Sequence, residues 1–197
     1  ILSVVEKINN TIRLSDYYEI TDFFHKLSLL IDANKLFSNK EQVASILMPP
    51  LERFALETDE RAIEHTQIIA VLHKLLDFCR NEQLGDTMNQ IMFRFLDIDI
   101  AGLKISGIKV AVILYTKFYT YSDQTEIDSA QSTLEYILCE ISNFEGLKLL
   151  EPVFTTFATR DILTDNLIDG LWNVISNMPQ SVYKKSIETF SNIAVKV

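Results

Sequence analysis

The sequence predicts an all-α fold, and three observations predict it. Apolar residues recur at spacings of three and four along most of the chain, the stripe of an amphipathic helix. No series of alternating apolar and polar residues marks a set of strands. Only 5 glycines and 4 prolines occur in 197 residues, and they fall mainly at the ends of the periodic segments. With 48% hydrophobic residues and 23% charged, the chain has enough large apolar groups to build a core, which excludes a disordered or linker-like polypeptide. The length suits one domain over residues 1–197.

The first clear stripe follows Ser15: Tyr17, Ile20, Phe23, Phe24, Leu27, Leu30 and Ile31, with Asp16, Glu19 and Asp22 in the early turns where carboxylates favour the helix dipole. Ser38 with Glu41 opens a helix to Met48, which Pro49-Pro50 breaks or kinks before Leu51 to Leu56 continues. Thr58-Asp59 starts a stripe of Ala62, Ile63, Ile69, Leu72, Leu75, Leu76 and Cys79. After the polar stretch Asn81 to Gln83, Gly85-Asp86 introduces a helix over Thr87 to Leu96. Leu103 to Tyr119 is apolar almost all round, which predicts a buried central helix in spite of the β-branched run Val110 to Ile113. Ser122 opens a helix with Ala130, Leu134, Ile137, Leu138 and Ile141 on one face and Asp128, Gln131 and Glu135 on another. Leu147 to Phe157 follows Gly146 and is interrupted by Pro152; Thr164 to Met178 surrounds Trp172; Ser181 starts the last helix, beyond Pro179.

Grouped in pairs, these helices divide near residues 38, 84, 122 and 160, so most units run about 38 residues and the one holding Pro49-Pro50 about 46. Units of roughly 40–47 residues characterise HEAT and armadillo repeats. In this spacing, rather than in shared residues, the chain resembles the HEAT/armadillo-like helical-repeat family. The resemblance implies a right-handed stack of about five helix pairs with an extended grooved surface. An irregular α-helical bundle is the alternative, since helices of similar length show such spacing by default.

Lys and Arg number 18 against 27 Asp and Glu, a formal net charge of −9. A phosphate-gripping protein carries a basic stripe; here Lys104, Lys109 and Lys117 are diluted by apolar neighbours, and only Lys184-Lys185 adjoin. Nucleic acid is therefore a minor expectation, and the acidic balance favours a basic or amphipathic partner segment. Cys79 and Cys139 lie in apolar sequence and read as buried free thiols of a reducing, intracellular compartment, nucleus or cytoplasm. Asn9-Asn10-Thr11 is a glycosylation tripeptide with no other sign of secretion beside it, and no apolar run approaches a membrane span. Ile1 already stands in a periodic segment, which predicts a domain cut from a longer protein.

No catalytic constellation is visible. His65 and His73 are eight apart on one predicted helix, too far around its axis to share a metal, and His25 is isolated. The acids Asp97, Asp99, Asp123, Glu126 and Asp128 lack the glycine and terminal Glu of a calcium loop. Phosphate-cradling and nucleophile-elbow glycine motifs are absent. The expectation is a protein without cofactor or metal and not an enzyme. One segment stands out: Tyr115, Phe118, Tyr119 and Tyr121 crowd around Lys117, the residue types favoured at interface centres. The predicted partner-binding residues are Tyr115, Lys117, Tyr119 and Tyr121, joined by Lys104 and Lys109. The leading expectation is a protein-interaction scaffold or adaptor taking a peptide or helix in a groove. A compact helical regulatory domain, for example of a small GTPase, and a nucleic-acid-associated helical scaffold are the alternatives.

Overall fold

The computed structural model describes residue 29 and residues 82–194. The predicted helices before residue 82, the three histidines and Cys79 lie outside the described residues, and the expectation of one domain over 1–197 rests in part on them. The chain divides into two compact units, residues 1–94 and 95–197. In the first, the described stretch is most of helix α1 (Glu82–Asp97), which buries Leu84, Met88, Ile91 and Met92 along one stripe. The predicted start at Gly85-Asp86 is a turn late: Gly85 is a buried interior position of this helix, so here glycine punctuates nothing.

The second unit is helical throughout its described residues, with short connections. After α1 come α2 (Ala101–Ile113), a π-helical turn over Leu114–Phe118, α3 (Gln124–Glu140), α4 (Phe144–Leu149), α5 (Glu151–Thr159), α6 (Asp165–Ser176) and α7 (Gln180–Ala194). The all-round apolar sequence of α2 produces the buried helix expected of it, with Leu103, Ile108, Val110, Ala111 and Ile113 in the core. Its end is different. At Thr116 the hydroxyl donates to the Val112 carbonyl at 2.6 Å, and the Tyr119 N–H reaches back five residues to the Leu114 carbonyl at 2.9 Å. The return over five residues makes this last turn a π-helix.

Caps set most of the other boundaries. The start of α3 is Asp123, not Ser122: the Asp123 carboxylate accepts from the Glu126 N–H at 2.9 Å, while Glu126 accepts from the Ser122 N–H at 3.1 Å. This is a capping box shifted by one residue. Asn143 caps α4 by accepting from the Gly146 N–H at 2.8 Å, and Thr164 caps α6 through the Leu167 N–H. Pro152 does not interrupt a helix but sits in the first turn of α5, where its missing N–H costs no bond; the break between α4 and α5 is Leu150. The end of α5 is a Schellman motif with a residue other than glycine in the left-handed position. Asp161 has φ 57°, and the Ile162 N–H donates to the Phe157 carbonyl at 3.0 Å.

Packing follows a simple pattern. α3 lies against α6, α4 against α2 and α7, and α5 against the π-turn and α7. Gly146 lets α4 approach α2 closely, since a Cβ there would stand 3.1 Å from Ile108 Cδ1. The core between these helices includes Leu134, Ile137, Leu147, Val153, Phe154, Phe157, Leu167, Leu171, Ile175 and Phe190. Phe154 and Phe190 join α5 to α7 edge to face at 5.7 Å between centroids.

Candidate functional site

The predicted binding residues fall into two places. Tyr115, Phe118, Tyr119 and Tyr121 form one aromatic corner where the π-turn meets α5. Tyr115 and Tyr119 stack at 5.5 Å, and Phe157 of α5 meets Tyr115 edge-on at 6.2 Å and Tyr121 at 5.7 Å. Tyr121 has φ 58°, a left-handed backbone that turns the chain back so that its phenol donates to the Tyr115 carbonyl at 2.6 Å. That carbonyl belongs to the last turn of a helix, where no backbone N–H follows to meet it. Arg160 closes the corner, its guanidinium 5.1 Å from the Tyr121 ring centroid and hydrogen-bonded to the Thr120 carbonyl at 2.9 Å.

Tyr115, expected on an exposed surface, is 1% exposed. Phe157 and the folded-back Tyr121 pack around its ring and, with Tyr119, shield it from solvent. Tyr119 and Tyr121 are half-buried, and Lys117 alone of the four is exposed. Burial raises the Tyr115 and Tyr121 hydroxyls well above the ordinary phenol range.

The lysines lie elsewhere. Lys104 donates to Glu140 at 2.7 Å and is 3.4 Å from Asp99, so it ties α2 to the end of α3. The hydrogen bond to Glu140 holds its ammonium above the usual range. Next to it Tyr136 donates to Asp97 at 2.8 Å, which together with burial pushes its hydroxyl up to about 12. Lys109 is half-buried on α2. The structure therefore does not unite Lys104 with the aromatic corner through any of these contacts.

A different feature presents a concave surface. Between α3 and α6 runs a cleft of about 330 Å³, lined by Glu135, Leu138, Cys139, Asn166, Asp169, Gly170, Asn173 and Val174. Leu138 is buried and forms its floor with half-buried Val174 and Gly170. Glu135, Cys139, Asn166, Asp169 and Asn173 are exposed along the rims. Cys139 corrects the expectation of a buried thiol. Its sequence neighbours Ile137 and Leu138 face the core, but one further residue turns through 100° and out of it. Gly170 permits the close crossing of the two helices, as a Cβ there would meet Leu138 Cδ1 at 3.1 Å.

The electrostatics of the cleft are one-sided. α3 carries Glu126, Asp128, Glu135 and Glu140, and α6 carries Asp165 and Asp169; neither helix contains a Lys, Arg or His. Among the described residues neither Glu135 nor Asp169 takes part in an ion pair. Asp128, Gln131 and Glu135 stand out in the sequence as a second face of α3, and Gln131 confirms its direction by donating to the Ile162 carbonyl just before α6, at 2.7 Å. What sequence reading missed is that this face has α6 opposite it.

Among the described residues no group of three or more His, Cys, Asp or Glu could hold a metal ion, and no helix is long and apolar enough to cross a membrane. Compared with protein-family models, curated proteins and solved structures, the chain matches none.

Proposed function

We propose that this chain is a protein-interaction scaffold with no catalytic task, and that a partner's basic or amphipathic segment docks in the cleft between α3 and α6. The observation that carries the reading is the combination of an apolar floor with acidic rims on two helices that lack any cation. An interface needs both: apolar area to remove from water, and charge to select and steer the partner. The packing pattern supports the stacked architecture behind this reading. First helices of successive pairs (α3, α6) lie on each other, and so do the second helices (α2, α4 and α5, α7), an adjacency that a solenoid of paired helices would have.

The test is capture by the full chain compared across two variants. Glu135→Lys with Asp169→Lys reverses both rims, whereas Lys117→Glu alters the exposed cation of the aromatic corner. A partner lost with the first variant and kept with the second, both variants retaining the wild-type circular dichroism, is the expected outcome. The opposite pattern places binding at the corner and overturns the cleft reading.

A further inference from the structure

We infer that the cleft takes its partner as a short cationic helix rather than as an extended strand; the inference rests on the reading of the cleft as the docking site. The argument begins with hydrogen bonds. An extended segment brings unpaired N–H and C=O groups and binds best on a sheet edge, where backbone meets backbone. Both walls of this cleft are helices whose backbone bonds are made internally, and the described residues include no strand. A helical segment satisfies its own backbone and asks of the cleft only an apolar strip and countercharges.

The dimensions agree. The lining residues of α6 run from Asn166 to Val174, about 12 Å at 1.5 Å per residue, and those of α3 from Glu135 to Cys139, about 6 Å. That is a little over two helical turns on one side and one on the other. Rims exposed along both helices leave the cleft open to side chains from a rod lying along it, whereas a small-molecule site would enclose its ligand. Leu138 and Val174 accept an apolar side chain from the middle of that helix. Lys or Arg residues one turn to either side, at three, four or seven residues' spacing, then reach Glu135 on one rim and Asp169 on the other. The same rims repel an acidic helix of equal hydrophobicity, which supplies discrimination as well as attraction.

Cys139 on the rim is a built-in reporter. The experiment measures its alkylation by iodoacetamide in the full chain, with peptide mapping to separate it from Cys79. Three synthetic peptides are added in excess: an amphipathic Leu/Lys helix of about 14 residues, a sequence-scrambled peptide of the same composition, and the same helix with Glu for Lys. The expected result is that the first slows Cys139 alkylation at least about fivefold, and the second and third do not. Glu135→Gln with Asp169→Asn, exposed changes that leave the circular dichroism intact, weakens binding of the first peptide about fivefold, as the loss of two exposed ion pairs would. Equal protection by the scrambled peptide overturns the helical occupant and leaves the docking site standing. No protection by either basic peptide, or protection by the acidic helix, removes the docking site and the inference together.

Discussion

Removing one oxygen atom tests the aromatic corner. Tyr121→Phe keeps the ring that packs on Phe157 and under Arg160 but deletes the donor to the Tyr115 carbonyl. A net intramolecular hydrogen bond contributes about 1 kcal/mol, and a partly buried acceptor left without a donor adds a desolvation cost, so the loss should be about 1–2 kcal/mol. The last backbone N–H of this turn, that of Tyr119, goes to the Leu114 carbonyl. Trp172 is the single tryptophan of the chain and stands half-buried on α6, so its fluorescence in urea follows the unit that holds the corner. With a slope of about 1–3 kcal/mol per molar urea, the midpoint should fall by about 0.3–2 M at unchanged slope. Tyr183→Phe, which removes a hydroxyl from a tyrosine 40% exposed, serves as the control and should leave the midpoint in place. A Tyr121→Phe midpoint equal to that of the control would refute the view that the folded-back phenol caps the π-turn.

The same unit gives three more expectations. Phe157→Ala empties a fully buried position shared by Tyr115 and Tyr121 and should cost about 3–5 kcal/mol by urea denaturation, the largest single loss at the corner. Asp161→Gly places glycine at the left-handed C′ position of the Schellman motif; relief of the Cβ crowding should outweigh the added freedom of the unfolded chain and raise the stability measured in urea by up to about 1 kcal/mol. In alkaline titration, Tyr115, Tyr121 and Tyr136 should ionise after an ordinary phenol. Because their folded-state values lie above the unfolded ones, the stability they contribute is complete below the ordinary phenol range near 10 and is lost as the pH rises towards 12. Phenolate absorbance and loss of helical circular dichroism should therefore rise together.

Helix content was legible because period alone decides it. From α2 to α7 every predicted segment has a helix beneath it, while boundaries moved wherever a specific atom decided them. Asp123 rather than Ser122 caps α3, since only its carboxylate stands three residues before the Glu126 N–H that it satisfies. Gly85 looked like punctuation and is helix interior, because an isolated glycine weakens a helix by only about 1 kcal/mol and neighbouring apolar residues outweigh that. Pro152 looked like an interruption and opens a helix. The folded-back Tyr121 was illegible, because a left-handed tyrosine has no sequence signature and depends on Phe157 and Arg160, more than thirty residues away in the chain. Composition singled out Tyr115 to Tyr121, but whether its rings faced inward depended on a helix that local sequence cannot supply.

Charge shows the same division between amount and address. A net charge of −9 spread evenly over a surface produces mutual repulsion and solubility, with no preference for where a partner lands. Pairing of α3 with α6 changes this. Of the six carboxylates on these two helices, Glu135 and Asp169 stand on the rims of a floor that includes Leu138 and Val174, and neither helix brings a cation there. Had α7 packed in the place of α6, Lys184 and Lys185 would have entered the same neighbourhood and offset much of that field. The acidic character of the proposed docking cleft therefore depends on which two helices are adjacent, a property of the fold, even though each helix's lack of cations is readable one residue at a time.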